Sequence, residues 1–429
     1  MSNTKPNSSQ TKHVAIVGGG FGGLNAAKEL ANKPNIEVTL IDRRNYHLFQ
    51  PLLYQVATAA LSPAEIATPI RGIFTDVKNI RVRLDNVTNV DLSANRLKIA
   101  AGEISYDYLI LACGAKHSYF GHPEWEDLSP GLKTLEQATE IRRRILLAYE
   151  RAEKETDAQA RTDLLTFVIV GGGPTGVELA GAIGEIARYT LERDFRNVHP
   201  NQSRVILVEA GERILPSFSS RISTHAASSL AKLGVEVRTQ SRVTNITPLG
   251  VFLGDEFIAT RTTIWAAGVQ PSSLNRMLNV NMDSSGRVIV NPDLSLPEHP
   301  CVFVIGDQAH FEIAPHTALP GLAPVAIQEG RHAAKNILLQ IAGLKTKRFE
   351  YSSKGQMATI GRRCAVVQAG PLQFNGFLAW LTWLTVHVYY LIGFRNRVMV
   401  MLEWAWSYLT FQKGARLITA GDWHSYPHK

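Results

Sequence analysis

Short apolar runs of four to seven residues recur along the chain, each stopped by glycine and followed by a stretch with helical spacing. His13–Val17 is such a run and predicts a buried strand. It leads into Gly18-Gly19-Gly20-Phe21-Gly22-Gly23 and then a helical stretch, Leu24–Ala31. Ile36–Asp42 and Tyr106–Leu111 predict two more strands, the second ending at Cys113-Gly114. The same figure returns 153 residues later: Phe167–Val170, then Gly171-Gly172-Gly173-Pro174-Thr175-Gly176, then a helical stretch, Val177–Ala187. Arg204–Glu209, Val235–Thr239, Thr263–Ala266 and Val302–Ile305 predict further strands. Arg221–Leu233 and Ala323–Ile341 predict helices, and Glu136–Arg161 predicts one long, highly charged helix that links or flanks domains. Strands alternating with helices indicate doubly wound parallel sheets, here present twice. The expected class is α/β, with two Rossmann-like dinucleotide-binding domains.

Composition narrows the function. At 429 residues, 45% hydrophobic and 19% charged, the chain can build two or three cores, and global disorder is excluded. Three cysteines, none in a CxxC pair, exclude a disulfide scaffold and a vicinal redox disulfide. No HExxH and no clustered Cys/His spacing occurs, so no metal is expected. The formal charge of +8 suits anionic cofactors or an anionic membrane face. No long Lys/Arg block accompanies it, and Arg142-Arg143-Arg144 reads as a solvated helical face, so no nucleic acid is expected. Met1–Lys12 is polar without a signal-peptide core and reads as a disordered leader.

Each glycine loop fits G-x-G-x-x-G, as Gly18, Gly20, Gly23 and as Gly171, Gly173, Gly176. The first glycine permits the turn, the second lets a pyrophosphate approach, and the third lets helix and strand pack closely. Alone the pattern is weak; a strand before it and a helix after it supply the required context. Asp42 follows the first loop by 24 residues and Glu209 the second by 38, with Arg188–Ser203 reading as an insertion. Such carboxylates accept hydrogen bonds from ribose, and Glu209 disfavours a 2′-phosphate, so NADH is expected over NADPH. Two dinucleotide sites imply a resident flavin and an exchanging nicotinamide. Gly306-Asp307 after an apolar strand supports FAD, although such a pair alone is more often only a turn.

These residues carry a resemblance. The chain resembles the type II NADH dehydrogenases, the single-subunit NADH:quinone oxidoreductases, from His13 to about Thr419. The likeness rests on VAIVGGGFGGLNAAKEL with Asp42, NYHLFQPLLYQVATAAL, LILACGA, FVIVGGGPTGVELAG, VEAGERILP, TIWAAGV, VFVIGDQA, LAPVAIQEG and GFRNRVMVMLEWAWSYLTFQKGARLIT. The glycine motifs belong to the wider two-dinucleotide flavoproteins; the APVAIQ segment and the aromatic tail are more specific. The resemblance implies that Gly18, Gly20, Phe21, Gly22, Gly23, Asp42, Arg43, Gly114 and Asp307 hold non-covalent FAD. Gly171, Gly173, Gly176, Glu209 and Gly268 would hold NADH. Glu178 and Gln328 would be catalytic, and Ala323, Gln328 and Gln50 would line a quinone pocket. Without the resemblance, Glu178 would be an acid favoured by the helix dipole, and Gln328 a helix-surface residue. The implied reaction passes a hydride from NADH to FAD and then two electrons to a quinone of ubiquinone, menaquinone or plastoquinone type, without proton pumping. Cys113 stands where many relatives have Thr.

The tail fits a membrane substrate. From Cys364 to Phe394 there are 31 residues without Asp, Glu, Lys or Arg. A helix over Gly376–Phe394 would reach about 28 Å, nearly a bilayer core. Thr382, Thr385 and His387 within it, the Trp and Tyr residues throughout, and Arg395, Arg397, Lys413 and Arg416 nearby predict an interfacial, monotopic helix instead. A soluble dimer interface is the plainer reading. The expected division is 1–12 leader, 13–117 with 296–345 FAD-binding, 118–295 NADH-binding, and 346–429 an amphipathic helical, membrane-anchoring region. The expected location is the cytoplasmic face of the inner or plasma membrane. Homodimers are common in the family, though no residue here sets the oligomeric state. Two rivals remain: a sulfide:quinone oxidoreductase, which needs a cysteine pair this chain lacks, and an FAD- and NADH-binding redox sensor.

Overall fold

The computed structural model describes residues 11–191, 194–199, 202–315, 317–410 and 414–419. The chain divides into two compact units. One comprises Met1–Leu48, Thr68–Lys116 and Val269–Ser353; the other comprises Phe49–Ala67, His117–Gly268 and Lys354–Lys429.

The first unit is built on a five-stranded parallel sheet in the order Val302–Val304, Tyr108–Leu111, Lys12–Val17, Ile36–Asp42, Ile80–Leu84. Its central strands are apolar on both faces, as a parallel sheet covered on both sides requires; Val14, Ala15 and Ile16 are fully buried. The helix Phe21–Leu30 packs on the helix Ala323–Ile341, and a Cβ on Gly330 would lie 2.2 Å from the Gly22 carbonyl oxygen. An antiparallel sheet, Val87–Asp91, Arg96–Ile99 and Gly102–Ser105, shares the core with Leu274, Leu278 and Val288. Those last contacts draw 269–295 into this unit, whereas the sequence assigned it to the other. The strand also opens one residue earlier than expected, because Lys12 pairs with Ile36; residues 1–10 of the expected leader lie outside the described residues.

The second unit repeats the plan with four parallel strands ordered Val235–Arg238, Arg204–Val208, Thr166–Val170, Thr262–Trp265. The segment Phe49–Ala67 belongs here rather than with the first glycine loop. The expected single helix over Glu136–Arg161 is two, Leu135–Lys154 and Ala158–Leu164. Asp157 causes the break: its side chain accepts the Ala160 N–H at 2.7 Å and caps a new start. The basic triplet is not a uniformly solvated face. Arg142 is 6% exposed, and Glu140 accepts from Arg143 and Arg144 at 2.6 and 2.7 Å.

The C-terminal region is not helical throughout. It opens with an antiparallel sheet, Gln356–Gly361, Cys364–Ala369 and Leu372–Gly376, that continues the second unit. A Cβ on Gly181 would lie 1.8 Å from the Ile360 carbonyl, so the helix Pro174–Glu185 rests directly on this sheet. Two helices follow, Phe377–Tyr390 and Phe394–Thr410. The first has 14 residues, about 21 Å, instead of the nineteen expected, because the chain turns out of helix at Leu391. No helix among the described residues is long and apolar enough to cross a membrane. Trp383 and His387 face inward, while Phe394 is 83% and Leu409 78% exposed. Lys413 lies outside the described residues.

Candidate functional site: two glycine cradles and their carboxylates

The first loop is shaped for an anion. Gly18 has φ +107°, and a Cβ there would lie 2.3 Å from the Ala112 carbonyl. A Cβ on Gly23 would lie 1.9 Å from the Gly18 oxygen. These two glycines serve turn and packing. A Cβ on Gly20 would meet nothing within 4 Å, so that glycine leaves open space before the first turn of the helix Phe21–Leu30, where phosphate is favoured. Asp42 is clamped: Oδ2 accepts the Gly19 N–H at 2.6 Å and Oδ1 the Arg44 N–H at 2.7 Å. Each oxygen keeps a lone pair for a ribose hydroxyl. Phe21 stands edge-on to His47 at 5.1 Å, and Arg43 is exposed beside Asp42. Gly114 (φ +68°) also has open space above it, and Gly306 (φ +71°) places Asp307 in a short turn beside Gly321. This cradle fits the pyrophosphate and ribose of FAD.

The second loop matches it. Gly171 has φ +110°, a Cβ on Gly176 would lie 1.8 Å from the Gly171 oxygen, and Gly173 has open space. Glu209 follows its strand directly; Oε2 accepts the Gly172 N–H and Oε1 the Gly211 N–H, both at 2.6 Å. A carboxylate held there repels a 2′-phosphate and accepts from a free 2′-hydroxyl. Gly268 (φ +70°) abuts the Phe120 ring.

Glu178 stands on the helix Pro174–Glu185, with Oε1 3.5 Å from the Thr359 N–H. Partly open at its surface yet otherwise enclosed, it is pushed by burial up to about 8, so it holds a proton at neutral pH. Gln328 is half-buried on the helix Ala323–Ile341, whose first residue is Ala323. Its Nε2 donates to the Pro324 and Ser352 carbonyls at 3.1 Å each, and its Oε1 accepts the Ser352 N–H at 3.0 Å. Both amide hydrogens are thus used, and one Oε1 lone pair is left. Gln50 is exposed, 3.4 Å from the Lys133 carbonyl.

The site residues fall into two sets. Gly18, Gly20, Phe21, Gly22, Gly23, Asp42, Arg43, Gly114, Asp307, Ala323 and Gln328 are in the first unit; Gly171, Gly173, Gly176, Glu178, Glu209, Gly268 and Gln50 are in the second. Two residues escaped the sequence reading. Glu329, 2% exposed, accepts the Gly306 N–H at 2.5 Å; burial first, then Asp307, push its carboxyl up to about 8. Its place on the apolar face, in step with Val325, Ala326 and Ala333, was the available signal. Gln308 is fully buried, accepts the Cys113 N–H at 2.5 Å and donates to Asn275 Oδ1 at 2.6 Å; nothing in Gly-Asp-Gln marks it.

Two glycine cradles, each with a clamped carboxylate, define an oxidoreductase that binds two dinucleotides. Residues 12–330 match the pyridine nucleotide-disulphide oxidoreductase family model, and residues 353–411 match the NDH2 C-terminal domain model. The chain is 42% identical over 422 residues to the type II NADH:quinone oxidoreductase Ndh of Mycobacterium tuberculosis, covering 95% of this chain and 90% of that one. It is 30% identical to a probable NADH dehydrogenase of Dictyostelium discoideum over 92% and 89% of the two chains. Its fold superposes on NDH2 of Plasmodium falciparum solved with NADH, with a TM-score of 0.86, 18% identity, and 96% and 100% coverage. The sulfide:quinone oxidoreductase of Aquifex aeolicus is a more distant structural neighbour, at 0.71 and 20% identity. The chain belongs to the type II NADH:quinone oxidoreductases.

Proposed function

We propose that this chain oxidises NADH and reduces a membrane quinone, without pumping protons, and that it does so while resting on a lipid surface. The observation that carries the reading is the pair of cradles in which Asp42 and Glu209 are each fixed by backbone N–H groups of their own glycine loop. FAD, bound at the first cradle, supplies the hydride-accepting and electron-passing chemistry. The chain's residues bind and orient. Gly20 and Gly114 admit the cofactor, and Gly18, Gly22, Gly23, Phe21, Arg43 and Asp307 shape or flank its cradle. Gly171, Gly173, Gly176, Glu209 and Gly268 receive NADH. Glu178 stores a proton close to the NADH loop. Ala323 and Gln328, on one helix of the first unit, line the quinone site, where the remaining lone pair of Gln328 Oε1 accepts from a quinol hydroxyl.

The exposed Phe377, Leu378, Tyr389, Phe394, Trp406 and Leu409, with exposed Arg395 among them, support a monotopic seat on a lipid surface, which we assign to the cytoplasmic membrane face. The division of labour we infer gives FAD to the first unit, and NADH and the membrane segment to the second. Steady-state turnover tests the function. NADH with a soluble quinone should turn over, NADPH should be poor, and sulfide should be inert. Turnover with sulfide and none with NADH would overturn the assignment.

A further inference from the structure

The reaction NADH + H⁺ + quinone → NAD⁺ + quinol fixes the proton count. The hydride brings two electrons and one proton, so the protein must convey one further proton from water to a quinone oxygen. Gln328 has no free amide hydrogen to offer a carbonyl. A chain of hydrogen bonds within the second unit bears on which group could donate it.

Trp404 has one hydrogen-bonding group, its indole N–H, which can only donate. It donates to Gln55 Oε1 at 2.7 Å. That contact fixes the Gln55 amide with its Nε2 toward Tyr54, to whose hydroxyl oxygen it donates at 2.8 Å. The Tyr54 oxygen is therefore the acceptor, and its own hydrogen must be given elsewhere. Among the described residues no acceptor takes it, although Tyr54 is only 7% exposed. A second buried donor stands beside it. Trp383, 1% exposed, has its ring edge-on to Tyr54 at 6.4 Å between centroids, and its Nε1–H has no partner. Further rings pack around the pair: His387 stacks on Trp383 at 4.1 Å, and Phe49 stands edge-on to His387. Two unclaimed donors among flat apolar rings fit a flat ligand bearing carbonyl oxygens, which is the chemistry of a quinone head group.

We propose that Tyr54 is a catalytic residue, the donor that binds a quinone carbonyl oxygen and passes it the external proton, and that Glu178 reprotonates Tyr54. The O–H bond of Tyr54 breaks as the quinol O–H forms; the phenolate then takes the carboxyl proton of Glu178, and Glu178 reloads from water. This rests on the quinone-reducing reading above. The titratable groups facing Tyr54 are Glu178 and Glu185, and His387 is held neutral by burial, its imidazolium range pulled down to about 4. Burial first holds the phenol well above its ordinary range, and either carboxyl raises it further once ionised. It therefore releases its proton only to an oxygen made strongly basic by arriving electrons. Glu178 stands on the helix Pro174–Glu185, which packs against the helix Leu53–Ala57 that carries Tyr54; it carries a proton at neutral pH and is partly open at its surface, as a refilling acid must be.

The test separates the half-reactions of flavin-loaded protein. Anaerobic NADH should bleach wild type and Tyr54→Phe alike. Reoxidation by a short-chain soluble benzoquinone should be about 100-fold slower in Tyr54→Phe, the scale of a lost general acid. A solvent deuterium isotope effect on that step should be present in wild type and absent in the variant. In the oxidised protein, the infrared carbonyl band of the bound benzoquinone should lie lower in wild type than in Tyr54→Phe. Trp404→Phe, which frees the Gln55 amide to turn, should slow only reoxidation; it decides the matter if Tyr54→Phe loses its flavin. Wild-type reoxidation rates in both variants, or an unshifted carbonyl band, would overturn the proposal. Wild-type protein that NADH cannot bleach would instead overturn the oxidoreductase reading beneath it.

Discussion

Glu329→Gln makes the most quantitative demand on the structure. Glu329 is buried under Gly306, whose N–H it accepts at 2.5 Å, and it faces Asp307. Its carboxyl is raised from 4.5 to about 8. Between those values the native state keeps a proton that the unfolded chain releases, so stability falls as pH rises across that window. At about 1.4 kcal/mol per pH unit, a rise of that size corresponds to roughly 5 kcal/mol lost by about pH 8, an order-of-magnitude figure. Glutamine keeps an oxygen for the Gly306 N–H and cannot ionise. The variant should match wild type near pH 4.5, exceed it by about 2 kcal/mol near pH 6, and by roughly 5 kcal/mol near pH 9. Glu178 is raised into the same window and leaves a similar slope in both proteins. Urea unfolding of the flavin-loaded proteins, followed by tryptophan fluorescence at several pH values, measures the gap. Parallel stability curves from about pH 5 to pH 9 would mean that Glu329 is already ionised in the native state and that the reasoning is wrong.

Three further outcomes follow from particular contacts. Gly173→Ala has room for its methyl, so the protein should melt as wild type and keep its flavin but require about 10-fold or more extra NADH; Gly176→Ala would drive a methyl to 1.8 Å from the Gly171 oxygen and should fail to fold or lose several kcal/mol. Stopped-flow titration and thermal melts distinguish the two. Glu209→Gln removes the charge opposing a 2′-phosphate while keeping the Gly172 contact, and the NADPH-to-NADH ratio of kcat/KM should rise about 10-fold, equivalent to about 1.4 kcal/mol. Phe394→Glu with Leu409→Glu places charges on two highly exposed apolar positions and should strip the protein from anionic vesicles in sedimentation assays, with NADH bleaching unchanged.

Much of this was legible in the sequence because the chemistry is local. The glycine loops need φ values and close approaches that only Gly supplies, so Gly18, Gly23, Gly171 and Gly176 advertise their geometry. The strands around them are apolar on both faces and read directly. What escaped depends on chain segments distant in sequence. The assignment of Phe49–Ala67 and 269–295 to opposite units is set by packing, not by any local break. The split at Asp157 lay in an unbroken charged pattern, where only the cap distinguishes one helix from two. The sheet from Gln356 to Gly376 was folded into a C-terminal region expected to be helical, because the uncharged run from Cys364 to Phe394 drew attention to the helix beyond it. The chain Trp404, Gln55, Tyr54 joins residues about 350 positions apart and left no spacing to read.

The central claim, that one chain takes a hydride from NADH and delivers its electrons to a quinone, is tested most directly by an anaerobic spectrum. Purified yellow protein is titrated with NADH, and a soluble quinone is then added. The account requires bleaching near one equivalent of NADH per flavin, little bleaching by equimolar NADPH, and full, rapid recovery of the yellow colour with quinone. A flavin that bleaches but does not recover with any quinone would contradict it, as would one reduced by sulfide and untouched by NADH.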